Sequence, residues 1–236
     1  MFTECTLQVA ARYCGPPASA NGGYVCGLVA AAIGRPVTLR LVKPIPLQST
    51  LSLRAGDDGQ WRLFAQDLAV IEVRDAQAPL VPPAVCDYAT AAAAAQQTID
   101  PSIHPCPGCF VCGPARAAGD GLRLSAGVVP GRDIVATPWQ PAAEFAGSDG
   151  YIVPEIVAAA LDCPGYQSLR SEGGFWLLGE YTVHQTGHVR AGEACVITAW
   201  EISRRGRIAS VGTALYGADG GLRAVAAGTW IQPRSA

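Results

Sequence analysis

Asp149-Gly-Tyr-Ile-Val-Pro-Glu-Ile-Val-Ala-Ala-Ala-Leu-Asp162 has a near-copy earlier in the same chain. Moving back 128 positions gives Asn21-Gly-Gly-Tyr-Val-Cys-Gly-Leu-Val-Ala-Ala-Ala-Ile-Gly34, identical at six of the fourteen positions. The identities are Gly22/Gly150, Val25/Val153, Val29/Val157 and three alanines. Alanines match by chance in small-residue helices, so the glycines and valines carry the comparison. One long offset of domain size indicates a duplicated unit rather than a solenoid. The expectation is two copies of one fold.

The copies differ in their acids. In this pairing Gly27 stands opposite Glu155 and Gly34 opposite Asp162, so both carboxylates belong to the second copy. If one helix carries both, seven residues place them about two turns apart on one face. The rest of that face is Val, Ala, Ile and Leu, suited to close packing against a sheet. The helix dipole alone accounts for a first-turn acid such as Glu155, and Asp162 can be read as a polar helix end. An acid in a last turn opposes the dipole, however. Asp162 is therefore the first candidate for catalysis and Glu155 the second.

A chain of 236 residues allows one large domain or two smaller ones. Half the residues are hydrophobic and 15% are charged, enough for a sizeable core and unlike a disordered chain. A net charge of −2 offers no basic footprint for nucleic acid. Met1 to Cys14 lacks the basic flank and apolar core of a signal peptide. No apolar run approaches the ~20 residues that cross a bilayer. Nine cysteines, an odd number in a chain this long, argue against a disulfide framework. A soluble cytoplasmic protein with reduced thiols is expected.

Thr3 to Arg12 alternates loosely and reads as a first strand, which Gly15-Pro-Pro17 breaks. Asn21 can cap a helix running to Ile33, with Gly34 and Pro36 ending it. Strands are expected at Val37–Val42, Thr50–Arg54, Trp61–Gln66 and Leu68–Arg74, with a hairpin turn at Gly56-Asp-Asp-Gly59. A Pro-, Ala- and Cys-rich stretch follows, with a short alanine helix at Ala89–Gln97. Pro101 to Pro107 holds three prolines and excludes regular structure. Beyond it, strands are expected at Leu122–Ala126, Asp133–Thr137, Trp176–His184, Ala194–Ile202, Ile208–Tyr216 and Leu222–Ile231. In both halves the long strands follow the single apolar helix. That order specifies an α+β arrangement with an antiparallel sheet rather than alternating parallel units.

The pattern resembles the hotdog fold, and its repetition resembles the double-hotdog proteins of the acyl-CoA thioesterase II type. Three segments carry the likeness: Asn21-Gly-Gly-Tyr24, Val153-Pro-Glu-Ile-Val-Ala-Ala-Ala-Leu-Asp162, and Cys109-Phe-Val-Cys-Gly-Pro114 followed by Gly119-Asp-Gly-Leu122. The resemblance implies an N-terminal unit at 1–88, a linker at 89–118 and a C-terminal unit at 119–236. It also implies an acyl-CoA partner, with coenzyme A entering as part of the substrate, and a monomer or a homodimer. In that family an acid near the end of the C-terminal helix is catalytic, which points to Asp162.

Thioester hydrolysis needs a nucleophile and donors for an oxyanion. A helix starting near Gly150 would offer the N–H groups of Gly150, Tyr151 and Ile152, with Asp162 activating a water. In an apolar tunnel the pKa of that acid should rise. The family pairs its acid with a hydroxyl residue and a glutamine. In Gly179-Glu-Tyr-Thr-Val-His184 the nearest hydroxyl is Thr182, and Ala224-Val-Ala-Ala-Gly-Thr-Trp230 contains no glutamine. A hotdog hydratase would need an Asp and a His ahead of the helix, and no His lies between His104 and His184. His184 and His188 read as a solvent-exposed pair. Arg204 and Arg205, with Arg207, are candidates for coenzyme A phosphates or a solvated hairpin tip.

His104-Pro-Cys-Pro-Gly-Cys-Phe-Val-Cys112 supplies zinc-type ligands, Cys109 and Cys112 forming one knuckle. No second Cys-x2-Cys pair exists in the chain. Reduced cysteines in a linker turn are therefore the first expectation, with no resident metal or other cofactor, and zinc at Cys109/Cys112 the second. Three functions stay open: a thioester hydrolase, a non-catalytic acyl-CoA binding module, and a structural protein with a zinc-binding linker.

Overall fold

The computed structural model describes residues 4–96, 104–169 and 175–234. The first half supplies β1 (Cys5–Gln8), α1 (Gly22–Ile33), β2 (Val37–Leu41), β3 (Thr50–Ala55), β4 (Trp61–Ala65) and β5 (Leu68–Asp75). A connecting helix, α2 (Tyr88–Ala95), leads to β6 (Gly127–Val128), β7 (Val135–Trp139), α3 (Pro154–Ala160) and α4 (Asp162–Ser168). The chain then closes with β8 (Leu177–Gln185), β9 (Cys195–Arg205), β10 (Ile208–Tyr216) and β11 (Leu222–Ile231).

All the strands pair antiparallel in one sheet, in the order β1-β3-β4-β5-β2-β8-β11-β10-β9-β7-β6. The two halves of the chain therefore occupy separate stretches of the sheet. They meet where Thr38, Leu39 and Arg40 of β2 pair with Thr182, Tyr181 and Glu180 of β8. α4 packs on β9 and β10, while α2 packs on β7 and β9. Val196 belongs to the cluster beneath α2, whereas its neighbours Cys195 and Ile197 belong to the main core. Successive strand residues point to opposite faces, so α2 covers the reverse side of the sheet.

α1 forms where the sequence predicts it. The Asn21 side-chain oxygen Oδ1 caps the helix by accepting from Tyr24 N–H, and Gly34 ends it at φ +78°, returning its N–H to Ala30. α1 lies antiparallel against α3 at very short range. A Cβ built on Gly27 would lie 2.5 Å from the Glu155 Cα and 2.8 Å from the Ala158 Cβ. One built on Gly23 would lie 2.6 Å from the Asp162 Cβ. Glycine at both positions lets the two backbones touch.

A frame of turns, bridges and hydrogen bonds recurs in the backbone, at an offset of 132 rather than 128. Short 3-10 turns occur at Ala11–Tyr13 and Ala143–Phe145, and bridges at Cys14/Ala20 and Ala146/Ile152. Asn21 N–H bonds Tyr13 and Val153 N–H bonds Phe145; Gly15 N–H bonds Ser19 and Gly147 N–H bonds Tyr151. The shift of four residues is about one helical turn, the slip that alanine-rich helices permit. Gly23 is thus the counterpart of Glu155, and Ala30 the counterpart of Asp162. Both acids still belong to the second half alone.

Two local expectations are corrected. Glu155 and Asp162 do not share one helix: α3 stops at Ala160, Leu161 intervenes at φ −84° and ψ −10°, and Asp162 opens α4. Pro164 has no N–H to return to the Ala160 carbonyl, which interrupts the helix there. Asp162 is therefore a first-turn acid, favoured by the dipole of α4 rather than opposed by it. Leu122–Ala126 forms no strand; it lies against 110–111, with Leu122 and Leu124 N–H donating to the Phe110 and Val111 carbonyls. Part of the proline-rich segment, 101–103, lies outside the described residues, and 104–107 forms neither helix nor strand.

Candidate functional site

The carboxylate of Asp162 is held by the helix start of the other half. Its Oδ2 accepts from the Asn21 side-chain amide at 2.8 Å and from Gly23 N–H at 3.0 Å. Asn21 thus does two jobs, capping α1 through its oxygen and anchoring the acid through its nitrogen. The Asp162 Oδ1 and the Gly22 N–H have no hydrogen-bond partner among the described residues. Asp162 is only 4% exposed. Burial pushes its pKa up, the Gly23 N–H pulls it down, the nearby Cys109 raises it again and the Asn21 amide lowers it, leaving it at about 7.

Asp162 borders a cavity of about 460 Å³, within the range of small-molecule sites. Asn21, Gly22, Ile45, Trp176, Leu178 and Trp230 are among its lining residues. Lys43, the chain's single lysine, is an exposed residue of the same lining. Cys109, Cys112 and Cys163 line it as well, with their sulfurs within 4.8 Å of one another. All nine cysteines are free thiols. Cys109 is held well below the usual thiol range by hydrogen bonds from Cys112 and Cys163, whose own pKa values rise in consequence.

The remaining residues singled out from sequence fall elsewhere. Gly150, Tyr151 and Ile152 do not start a helix and offer no free donors. Their N–H groups go to Gly147, to the Asp149 carboxylate and to Val189 respectively. Tyr151 and Ile152 line a different groove, with Asp149 and His188. Glu155 sits at the opposite end of α3 from Asp162, outside the cavity. Thr182 bonds Thr38 at 2.7 Å across the β2–β8 junction. Its neighbour Tyr181 reaches α3, donating to the Ala158 carbonyl, so Thr182 points to the other face of the sheet.

The only buried glutamine among the described residues, Gln167, is committed to Leu124 and Ala126. Arg204 pairs with Glu201 and lies 5.2 Å over the Trp176 ring, and Arg205 is exposed; neither lines the cavity. His184 bonds the Gln77 carbonyl while His188 packs on Tyr151, so they do not act as a pair.

Sequence reasoning missed three participants. Asn21 was legible as a cap but not as an anchor, Lys43 carried no motif, and Cys163 stood outside any Cys-x2-Cys spacing.

No protein-family model matches the chain, and no curated protein does. Among solved structures it is similar to the tesB protein of Mycobacterium avium subsp. paratuberculosis, at 13% identity and TM-score 0.64, over 98% of this chain and 93% of that one. It is also similar to a candidate thioesterase from Novosphingobium aromaticivorans, at 17% identity and TM-score 0.62, over 99% and 97%. These likenesses show the fold. That fold is a hotdog type of antiparallel sheet. No helix among the described residues is long and apolar enough to cross a membrane.

Proposed function

We propose that the chain is a tandem hotdog protein that hydrolyses an acyl-CoA thioester, its units spanning 1–88 and 119–236. The observation that supports this most is the anchored acid. Asn21 and Gly23 fix Oδ2 of Asp162 and leave Oδ1 for a water in the cavity. The Asp162 Oδ1 takes a proton from that water as its oxygen attacks the thioester carbonyl carbon. The Gly22 N–H, at the positive end of α1, faces the developing oxyanion. Collapse breaks the C–S bond, and the leaving thiolate receives the proton from Asp162. Lys43 is placed for a phosphate at the cavity mouth, a role expected from sequence for Arg204 and Arg205.

Thiol release from a panel of short-, medium- and long-chain acyl-CoAs, run on wild type and Asp162→Asn, tests the reading. Turnover lost in a folded variant supports it, and turnover retained removes Asp162 from the mechanism. One observation favours a second reading, a binding module without turnover. Thr182 faces away from the acid and Gln167 is committed to Leu124 and Ala126, so neither the hydroxyl nor the only buried glutamine among the described residues is free to position the water. Saturable acyl-CoA binding with no thiol release by wild type would select it.

A further inference from the structure

We propose that Cys109, Cys112 and Cys163 form a thiolate site for a zinc ion, with the fourth coordination position open to the cavity. The chain brings these sulfurs together from two distant segments, and all three residues are buried. Cys109 and Cys112 come from one tight turn in which the Gly113 N–H returns to the Cys109 carbonyl at 2.9 Å. A Cβ on Gly113 would lie 2.4 Å from that carbonyl oxygen and 2.5 Å from that of Pro107. Only glycine permits the fold-back that brings the sulfurs of Cys109 and Cys112 together. Cys163, in the first turn of α4, completes the triangle.

The spacing suits the metal. Four ligands at the usual zinc–sulfur length of about 2.3 Å stand about 3.8 Å apart on a tetrahedron. The Cys109 and Cys163 sulfurs are 3.7 Å apart, and the three lie within 4.8 Å of one another before any ion draws them in. Thiolates select soft or borderline cations over magnesium or calcium. Binding expels the remaining thiol protons to solvent. Cys106 borders the cavity but is not one of the three. Because each of the three borders the cavity, the remaining vertex is reached by water or by a small ligand. Three protein ligands with one open position characterise reactive rather than closed zinc sites. The missing second Cys-x2-Cys pair is thereby replaced by a single cysteine from another element.

The test is independent of the thioester reading. The full chain is purified under reducing conditions without chelator, and its metal content is measured by elemental mass spectrometry. Close to one zinc per chain is expected. Replacement by Co2+ should give strong sulfur-to-cobalt charge-transfer absorption with tetrahedral visible bands. Cys163→Ser should weaken zinc binding by more than about a hundredfold, beyond the range of outer-shell changes, whereas Cys106→Ser should leave it unchanged. A wild-type chain that takes up neither zinc nor cobalt in stoichiometric amount would overturn the proposal. So would a Cys163→Ser variant that binds as tightly as wild type. Should Cys163→Ser fail to fold, the wild-type cobalt spectrum still decides, since sulfur ligation either appears in it or does not.

Discussion

The two helix starts share one backbone frame and differ in almost everything that frame presents. At the first, Asn21 caps α1 with its side chain, the Gly23 N–H bonds the acid, and Gly22 borders the cavity. At the second, Val153 caps α3 with no side-chain bond, Pro154 has no N–H, and Glu155 follows in the first turn. Proline suits that position because its donor would go unused. The position corresponding to Asp162 in the first half is Ala30. The recurring hydrogen bonds thus fix the scaffold, and a few side-chain exchanges decide which end of the helix pair holds a buried acid. Among the described residues one end has it where the recurring frame would allow two.

The largest effect is expected at the acid. Asp162→Asn should lower kcat/KM for acyl-CoA hydrolysis by about 10²- to 10⁴-fold, the usual contribution of a general base, with the circular dichroism spectrum unchanged. Next comes the helix contact. Gly27→Ala should destabilise the fold by about 1–3 kcal/mol in urea titration, because the added methyl has backbone on one side and Ala158 on the other. Its counterpart Ala159→Gly should cost only about 0.5–1 kcal/mol through backbone entropy, and an equal loss at the two positions would count against the asymmetry.

Asn21→Ala should remove about 1 kcal/mol with the cap and also reduce turnover, since the acid loses its anchor. A stability loss without a kinetic one would reduce Asn21 to a cap. The smallest change belongs to Glu155→Gln, with stability within about 0.5 kcal/mol and turnover essentially as wild type. A large kinetic loss there would mean that the second helix start takes part after all.

Local chemistry made much of this readable in advance. Gly34 in a left-handed cap, the glycine turn before Trp61 and the long strands from Ile208 to Ile231 follow from residues a few positions apart. The repeat was readable too, but its register was not, because an alanine-rich helix matches itself nearly as well one turn away. The break at Leu161 was signalled by Pro164, two residues beyond the duplicated stretch. What lay beyond reach is non-local. Nothing near Asn21 announces Asp162, nothing near Cys109 announces Cys163, and the face taken by Thr182 depends on which neighbour β8 acquires.

The bond from Asn21 to Asp162 spans 141 positions, and that distance has a consequence during synthesis. Chains fold from the N-terminus as they leave the ribosome, so the first half can build α1 and its capped start long before the acid has been translated. Until then Asn21 and Gly23 lack the carboxylate they hold, so on the proposed mechanism a nascent first half is inactive. On that reading catalytic competence appears late and all at once, when Asp162 docks against the start of α1. It would serve as a built-in report that both halves have been made and have found each other.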